Sequence, residues 1–171
     1  MPLSPPATLA PPPTHPFECP EQEVAINLLR TTDFLSRDGH AMFELHGISG
    51  QQYNVLRILR GHRETGLPCQ KIVAQMITQM PDITRLVDRL EASGFVRRER
   101  TEQDRRLVIV HITALGMDLL AELDQPILDL HRGQMKHMTR AELAELSRLL
   151  EKLRRPVMDV VVVVREKACS P

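Results

Sequence analysis

The chain has 171 residues and balances 22 Lys+Arg against 22 Asp+Glu, so its length suits one ordinary domain with or without tails, and global charge neither supports nor excludes a nucleic-acid partner. Aromatic residues are 3% of the chain, with Trp 0 and Tyr 1, which argues against stacking single-stranded bases and leaves duplex as the better-fitting nucleic acid. Cys19, Cys69 and Cys169 are odd in number and widely spaced, giving neither a disulfide framework nor a CxxC metal site; no apolar signal core follows Met1, and the valine run Val160 to Val164 is far short of a membrane span, so a cytoplasmic chain in a reducing compartment is expected.

Eight of the 13 prolines fall between Met1 and Pro20, so residues 1–20 read as an extended, flexible arm. From Glu21 to about Phe43, Val24, Leu28, Phe34 and Leu35 approximate helical spacing and predict a first helix. Ser49-Gly50-Gln51-Gln52 has the form of a capping box, and Tyr53, Leu56 and Leu59 continue a second helix to about Gly61. Pro68 is expected to open a short helix carrying Ile72, Val73 and Met76, with a turn at Thr78 to Met80. Pro81 then suits the first turn of the next helix, where its missing N–H costs nothing.

The stretch from Ile83 to Thr113 is the most informative. Ile83, Leu86, Val87 and Leu90 fall at i, i+3, i+4 and i+7, one buried stripe that leaves Asp82, Thr84, Arg85, Asp88 and Arg89 on other faces. Ser93-Gly94 stops this helix, since glycine tolerates the left-handed conformation just past a C-terminus. Phe95 to Arg100 and Leu107 to Thr113 read as the two strands of a hairpin with a polar tip from Thr101 to Arg106. A helix-turn-helix followed by such a hairpin is a winged helix-turn-helix, and an α-helix and a β-ribbon are the elements that fit DNA grooves. Between Thr84 and Arg106 seven arginines face five carboxylates, so the case for DNA rests on where the arginines project. Alternation along the first wing strand sends Arg98 and Arg100 to one face and Arg97 to the other, where one set can meet phosphate and the other solvent.

Beyond the hairpin, Ala114 to about Lys136 predicts a long helix through Leu115, Leu119, Leu120, Leu123, Ile127 and Leu130, bent by Pro126. Thr139-Arg140-Ala141-Glu142 is a second capping box, launching a helix with a seam of Leu143, Leu146, Leu150 and Leu153. The valine-rich stretch Val157 to Val164 fits a strand or an extension of that helix, and in either case needs burial.

The segment Thr84-Arg85-Leu86-Val87-Asp88-Arg89-Leu90-Glu91, then Gly94-Phe95-Val96, Arg98, Asp104-Arg105-Arg106, Ile112-Thr113 and Gly116, resembles the MarR family of bacterial transcriptional regulators. Isoleucine at 112 departs from the leucine usual there. Gly47 to Gly61 is similar to the second helix of such proteins, so the resemblance runs from about Glu21 to Leu153. It implies a mainly α fold with a small β wing: a winged helix-turn-helix over 49–113, flanked by a dimerisation helix at 21–48 and dimerisation helices at 114–155, with a valine-rich extension at 156–171. The function it implies is that of a homodimeric, sequence-specific duplex-DNA-binding transcriptional regulator, a ligand-responsive repressor on a pseudo-palindromic operator. Its recognition helix, about 81–93, would lie in the major groove and its wing, about 95–113, in the minor groove. The alternative is a winged-helix protein-interaction module whose wing charges only solvate the surface.

The candidate DNA-binding residues are Gln79, Asp82, Thr84, Arg85 and Arg89 at the recognition helix and Arg98, Asp104, Arg105 and Arg106 at the wing. Arg85 can pair with guanine or grip a phosphate. Asp82 can accept from cytosine, neutralise a neighbouring arginine or cap its helix. Arg105 and Arg106 suit a narrow minor groove, with Asp104 steadying an arginine, and the resemblance makes Arg106 the minor-groove residue. It also implies a small-molecule effector, commonly aromatic or anionic, held near the first and second helices and the start of the fifth. Cys19 lies near the position of a peroxide-sensing cysteine in some relatives, but Pro20 follows it and Tyr53 is the lone tyrosine, so that motif is not matched. His40, Glu44 and His46 carry zinc-ligand chemistry, although surface histidines are commoner at such spacing. No nucleophile beside a base, phosphate loop or carboxylate pair is visible, so neither an enzyme nor a cofactor is expected.

Overall fold

The computed structural model describes residues 17–78, 82–100 and 108–155. Among the described residues, six helices and three strands follow one another: α1 (Pro20–Leu45), α2 (Gly50–Gly61), β1 (Leu67–Pro68), α3 (Cys69–Val73), α4 (Ile83–Ala92), β2 (Val96–Arg100), β3 (Val108–Ile112), α5 (Ala114–Gln134) and α6 (Arg140–Arg154). This is a mostly helical winged-helix fold with a small antiparallel sheet. Two compact units divide the chain at His131 and Arg132.

Local chemistry explains the helix starts. The Ser49 hydroxyl accepts from the Gln52 amide at 3.2 Å while the Gln52 side chain accepts from the Ser49 amide at 2.8 Å, so the capping box read from the sequence forms in full. Thr139 and Glu142 repeat the arrangement at α6. In both, a residue and its neighbour three positions on satisfy backbone donors that would otherwise lack partners. α5 continues through Pro126 as one helix.

The wing differs from the expected two-stranded hairpin. The sheet has three strands in the order β1-β3-β2, with Leu67 opposite Val110 and Pro68 opposite Ile109 on the far edge of β3. Proline is tolerated there because an edge position does not require its missing N–H, and Pro68 serves both as the last residue of β1 and as the N-cap of α3. Gly66, at φ 61°, makes the approach feasible: a Cβ on it would meet the Val110 carbonyl oxygen at 2.7 Å. α3 is also shorter than expected. It ends at Val73, and Met76 lies in the turn beyond, half-buried against the core.

The core is built from α2, α3, α4, the sheet and α5. Leu56, Leu59, Ile72, Leu90, Leu120 and Leu123 are fully buried in it, each contributing about 1.5–3 kcal/mol relative to exposure. The α4 stripe behaves as its spacing predicts: Leu86, Val87 and Leu90 are buried, Ile83 packs at the margin, and Gly94 takes φ 75° just beyond the helix. By contrast, neither α1 nor α6 buries any residue, and Val24, Leu29, Leu146, Leu149 and Leu153 are exposed. The arm before Phe17, Pro81 and the stretch Val157 to Val164 lie outside the described residues.

Candidate nucleic-acid interface

Packing Leu86, Val87 and Leu90 inward turns the opposite face of α4 to solvent, and that face carries Thr84, Arg85, Asp88 and Arg89. Asp82 sits at the N-cap. Its Oδ1 accepts from the Arg85 amide at 3.1 Å, and its Oδ2 lies 3.0 Å from Arg85 Nε. Two of the roles open to this carboxylate are therefore combined, since it caps the helix and holds a neighbouring guanidinium by a charge-assisted contact. The Arg85 side chain remains 80% exposed, so the contact orients it without hiding it. Arg89 lies one turn further along the same side of the helix, exposed and without an ion pair to another described residue.

Arg98 is placed differently. It occupies the face of β2 shared with buried Val96, beside Val110 of β3, and its side chain is only 24% exposed. The backbone N–H of Arg98 donates to Glu91 Oε1 at 2.8 Å and its Nη1 to Glu91 Oε2 at 2.9 Å. The same Nη1 lies 2.6 Å from Asp88 Oδ1, and Nη2 donates to the Thr84 carbonyl at 3.2 Å. Partial burial works against the charge of this guanidinium, but the Asp88 hydrogen bond and the Asp88 and Glu91 carboxylates outweigh it and hold the group above its ordinary range. Arg98 thus ties the wing strand to α4 at three points. On the opposite face of the sheet, Arg97 pairs with Glu99, whose Oε2 also lies 3.7 Å from His111 Nε2. Arg97 and its hydrogen bond lower the Glu99 carboxyl below the usual glutamate range.

Among the sequence candidates, then, Asp82, Thr84, Arg85 and Arg89 share one end and one exposed side of α4, and Arg98 braces that helix against the wing. Gln79, Asp104, Arg105 and Arg106 lie outside the described residues.

A cleft of about 570 Å³ opens between α1, α2 and the later part of α5, with Phe43, Tyr53, Arg57, Ile58, Ile127 and His131 in its walls. The fifth helix contributes its far portion through Ile127, Leu130 and His131. Phe43 and Tyr53 stack with ring centroids 4.8 Å apart, and the Arg57 guanidinium lies 6.0 Å from the Tyr53 centroid. A second cleft of about 320 Å³ adjoins, and His40, Phe43, Gly50, Asn54 and Ile77 line both. His46 bonds through Nδ1 to the Met42 carbonyl at 3.0 Å, and no group of three metal-ligating side chains assembles among the described residues. Cys19 is exposed at the N-cap of α1. Cys69 is half-buried, and burial pushes its thiol up despite the nearby Arg98 charge, which disfavours the reactive thiolate. No helix among the described residues is long and apolar enough to cross a membrane.

Known proteins agree with this geometry. The sequence profile described as the MarR family matches residues 48–108. A MarR transcription factor from Planctomyces limnophilus is 38% identical, with 80% of this chain and 99% of that chain covered at a TM-score of 0.63. A mutant MarR from E. coli, solved in complex with operator DNA, is 25% identical over 78% of this chain and 97% of its own, with a TM-score of 0.65. A putative transcriptional regulatory protein for the hcr operon of Thauera aromatica is 26% identical over 120 residues, covering 70% of this chain and 71% of the relative. With the winged helix, the exposed α4 face and these relatives together, the chain belongs to the MarR family, a non-enzymatic family of DNA-binding transcriptional regulators.

Proposed function

We propose that the chain acts as a homodimer that binds a pseudo-palindromic duplex operator and represses transcription until a small molecule releases it. The observation that carries this reading is the exposed face of α4, where Asp82 aligns Arg85 and Arg89 stands open one turn on. Placed in the major groove, this end brings Gln79, Asp82, Thr84 and Arg85 toward base edges and phosphates, with Arg89 alongside. The wing tip follows the minor groove with Arg105 and Arg106, Asp104 steadying an arginine there. Arg98 serves as a positioning group between the two, because its donors are committed to Glu91, Asp88 and Thr84.

Dimerisation is supported by α1 and α6. Each carries large apolar side chains that the single chain leaves uncovered, as a surface meant for a second copy would. Two copies would set two α4 helices about 34 Å apart, one turn of duplex, and make the target a pseudo-palindrome. Repression fits a regulator occupying an operator, the kind of DNA held by the E. coli relative. The cleft between α1, α2 and α5 suits an effector with an apolar body and an acidic group: Phe43, Ile58 and Ile127 supply the apolar walls, and Arg57, with His40 and His131, the polar ones.

The test is titration of the full chain onto a duplex carrying the region upstream of its own gene, beside a shuffled duplex of equal composition. The expected result is saturation at two chains per site, with at least about a hundredfold preference for the upstream duplex at physiological salt. Equal affinity for both duplexes would favour an interaction module over an operator-reading regulator.

A further inference from the structure

The end of α4 that faces outward is also the end least anchored by the core. Leu86, Val87 and Leu90 hold the later turns, whereas Asp82, Thr84 and Arg85 are exposed and Ile83 is only partly covered. Among the described residues, 74–78 lead out of α3 toward this end. The amides of Ala74, Gln75 and Met76 still donate to carbonyls of α3, the last of them to Val73 at 3.2 Å. At Ile77 that ladder stops. The Ile77 amide instead donates across 23 residues to the Asn54 side-chain Oδ1 of α2 at 2.9 Å, while Ile77 as a residue is 84% exposed and adds little packing.

Asn54 is well suited to such a hold. It is flanked by buried Tyr53, Val55 and Leu56 on a capped helix, so its backbone belongs to the most rigid part of the core. Its carboxamide oxygen is engaged with Ile77, and the same residue lines both clefts beside α1.

We propose that Asn54 is a positioning residue for the DNA-reading end of α4: its side-chain carbonyl pins the backbone at Ile77, five positions before the Asp82 N-cap, and it does so from the wall of the cleft. The inference rests on α4 being the reading helix. The residues that would touch bases come within a few positions of the pinned amide, so losing the pin lets the reading end sample orientations that must be given up again on binding DNA. The penalty then falls on affinity for the operator and leaves the fold largely intact.

The test compares Asn54→Leu, which keeps the shape and removes the acceptor, with Asn54→Asp, which keeps the acceptor, in the full chain. Amide exchange without DNA should show Ile77 losing protection in Asn54→Leu while Val55, Leu56 and Leu59 keep theirs, and Asn54→Asp should retain protection at Ile77. On the upstream duplex, Asn54→Leu is expected to bind about tenfold more weakly than wild type with an unchanged salt slope, and Asn54→Asp within about threefold. The proposal is overturned if Asn54→Leu binds within twofold of wild type despite a deprotected Ile77, if Ile77 stays protected without the acceptor, or if Asn54→Asp binds as weakly as Asn54→Leu. Wild-type protein that discriminates no duplex would instead sink the operator-binding function itself, while amide exchange would still report on the hold at Ile77.

Discussion

Replacing Gly116 with valine is expected to cost about 3 kcal/mol or more of stability, a fall in melting temperature on the order of 10 °C for a chain of this size. Gly116 lies in the first turn of α5, where a Cβ would stand 2.4 Å from the Phe95 carbonyl oxygen and 2.9 Å from Ile112 Cγ1. The neighbouring groups have little freedom to yield. The Phe95 oxygen already accepts from the Thr113 amide at 3.0 Å, and the Thr113 hydroxyl donates to the Gly94 carbonyl at 2.7 Å while accepting from the Gly116 amide at 3.2 Å. A side chain at 116 must therefore push apart the turn after α4 and the end of β3, the two places where the wing joins the body. Gly133 is the internal control: no neighbouring atom of the described residues lies within 4 Å of its Cβ position, so alanine there should be neutral or stabilise by up to about 1 kcal/mol through helix propensity. Thermal melts of both variants check the prediction, and an unchanged midpoint for Gly116→Val would contradict it.

Arg98→Ala should weaken operator binding by at least about tenfold and destabilise the chain by about 2 kcal/mol. The loss is not that of a single ion pair. Removing the guanidinium frees Glu91 Oε2, Asp88 and the Thr84 carbonyl together, so two carboxylates of α4 lose their neutralising charge and the wing keeps only the backbone bond from residue 98 to Glu91 as its tie to that helix. Both effects are expected to act against DNA, the first by electrostatic repulsion and the second by loosening the angle between the two elements proposed to enter adjacent grooves. Arg98→Lys should recover little of this, because a single ammonium cannot span the three acceptors that the guanidinium fork reaches. Anisotropy titrations and urea unfolding measure the two parts separately. A variant that unfolds earlier but binds as wild type would confine Arg98 to stability.

What could be read from the sequence was local. Ser49 with Gln52 and Thr139 with Glu142 mark helix starts because each pair closes on itself within four residues. Likewise, the Ile83, Leu86, Val87 and Leu90 stripe follows from helical period alone. Features that depend on chain segments far apart were not legible. Leu67 and Pro68 are too short a strand to show alternation, and only their pairing with Val110 and Ile109 makes them part of the sheet. Met76 carries the apolar spacing of a longer α3, but the helix ends before it and the side chain packs from the turn. Gly116 was visible as part of a pattern, whereas its cause, the Phe95 carbonyl, appears only when α5 is set against the turn after α4. At the interface, Asp82 and Arg85 were legible as candidates because they lie three residues apart at a helix start. The commitment of Arg98 was not, since alternation along β2 gives its face but not the carboxylates of α4 that meet it there. Asn54 left no signal at all: an asparagine within a helix gives no indication that it caps an amide in a different segment.

The most direct test of α4 as the reading helix is the binding of Arg85→Ala to the upstream and shuffled duplexes across a salt series. The Arg85 side chain is 80% exposed, so folding should be little affected and a change in binding belongs to the DNA contact. Affinity for the upstream duplex is expected to fall by at least about tenfold. A loss confined to that duplex assigns Arg85 to a base, and an equal loss on both, with a salt slope smaller by about one, assigns it to a phosphate. Wild-type affinity on both duplexes with an unchanged slope would contradict the placement of α4 in the groove.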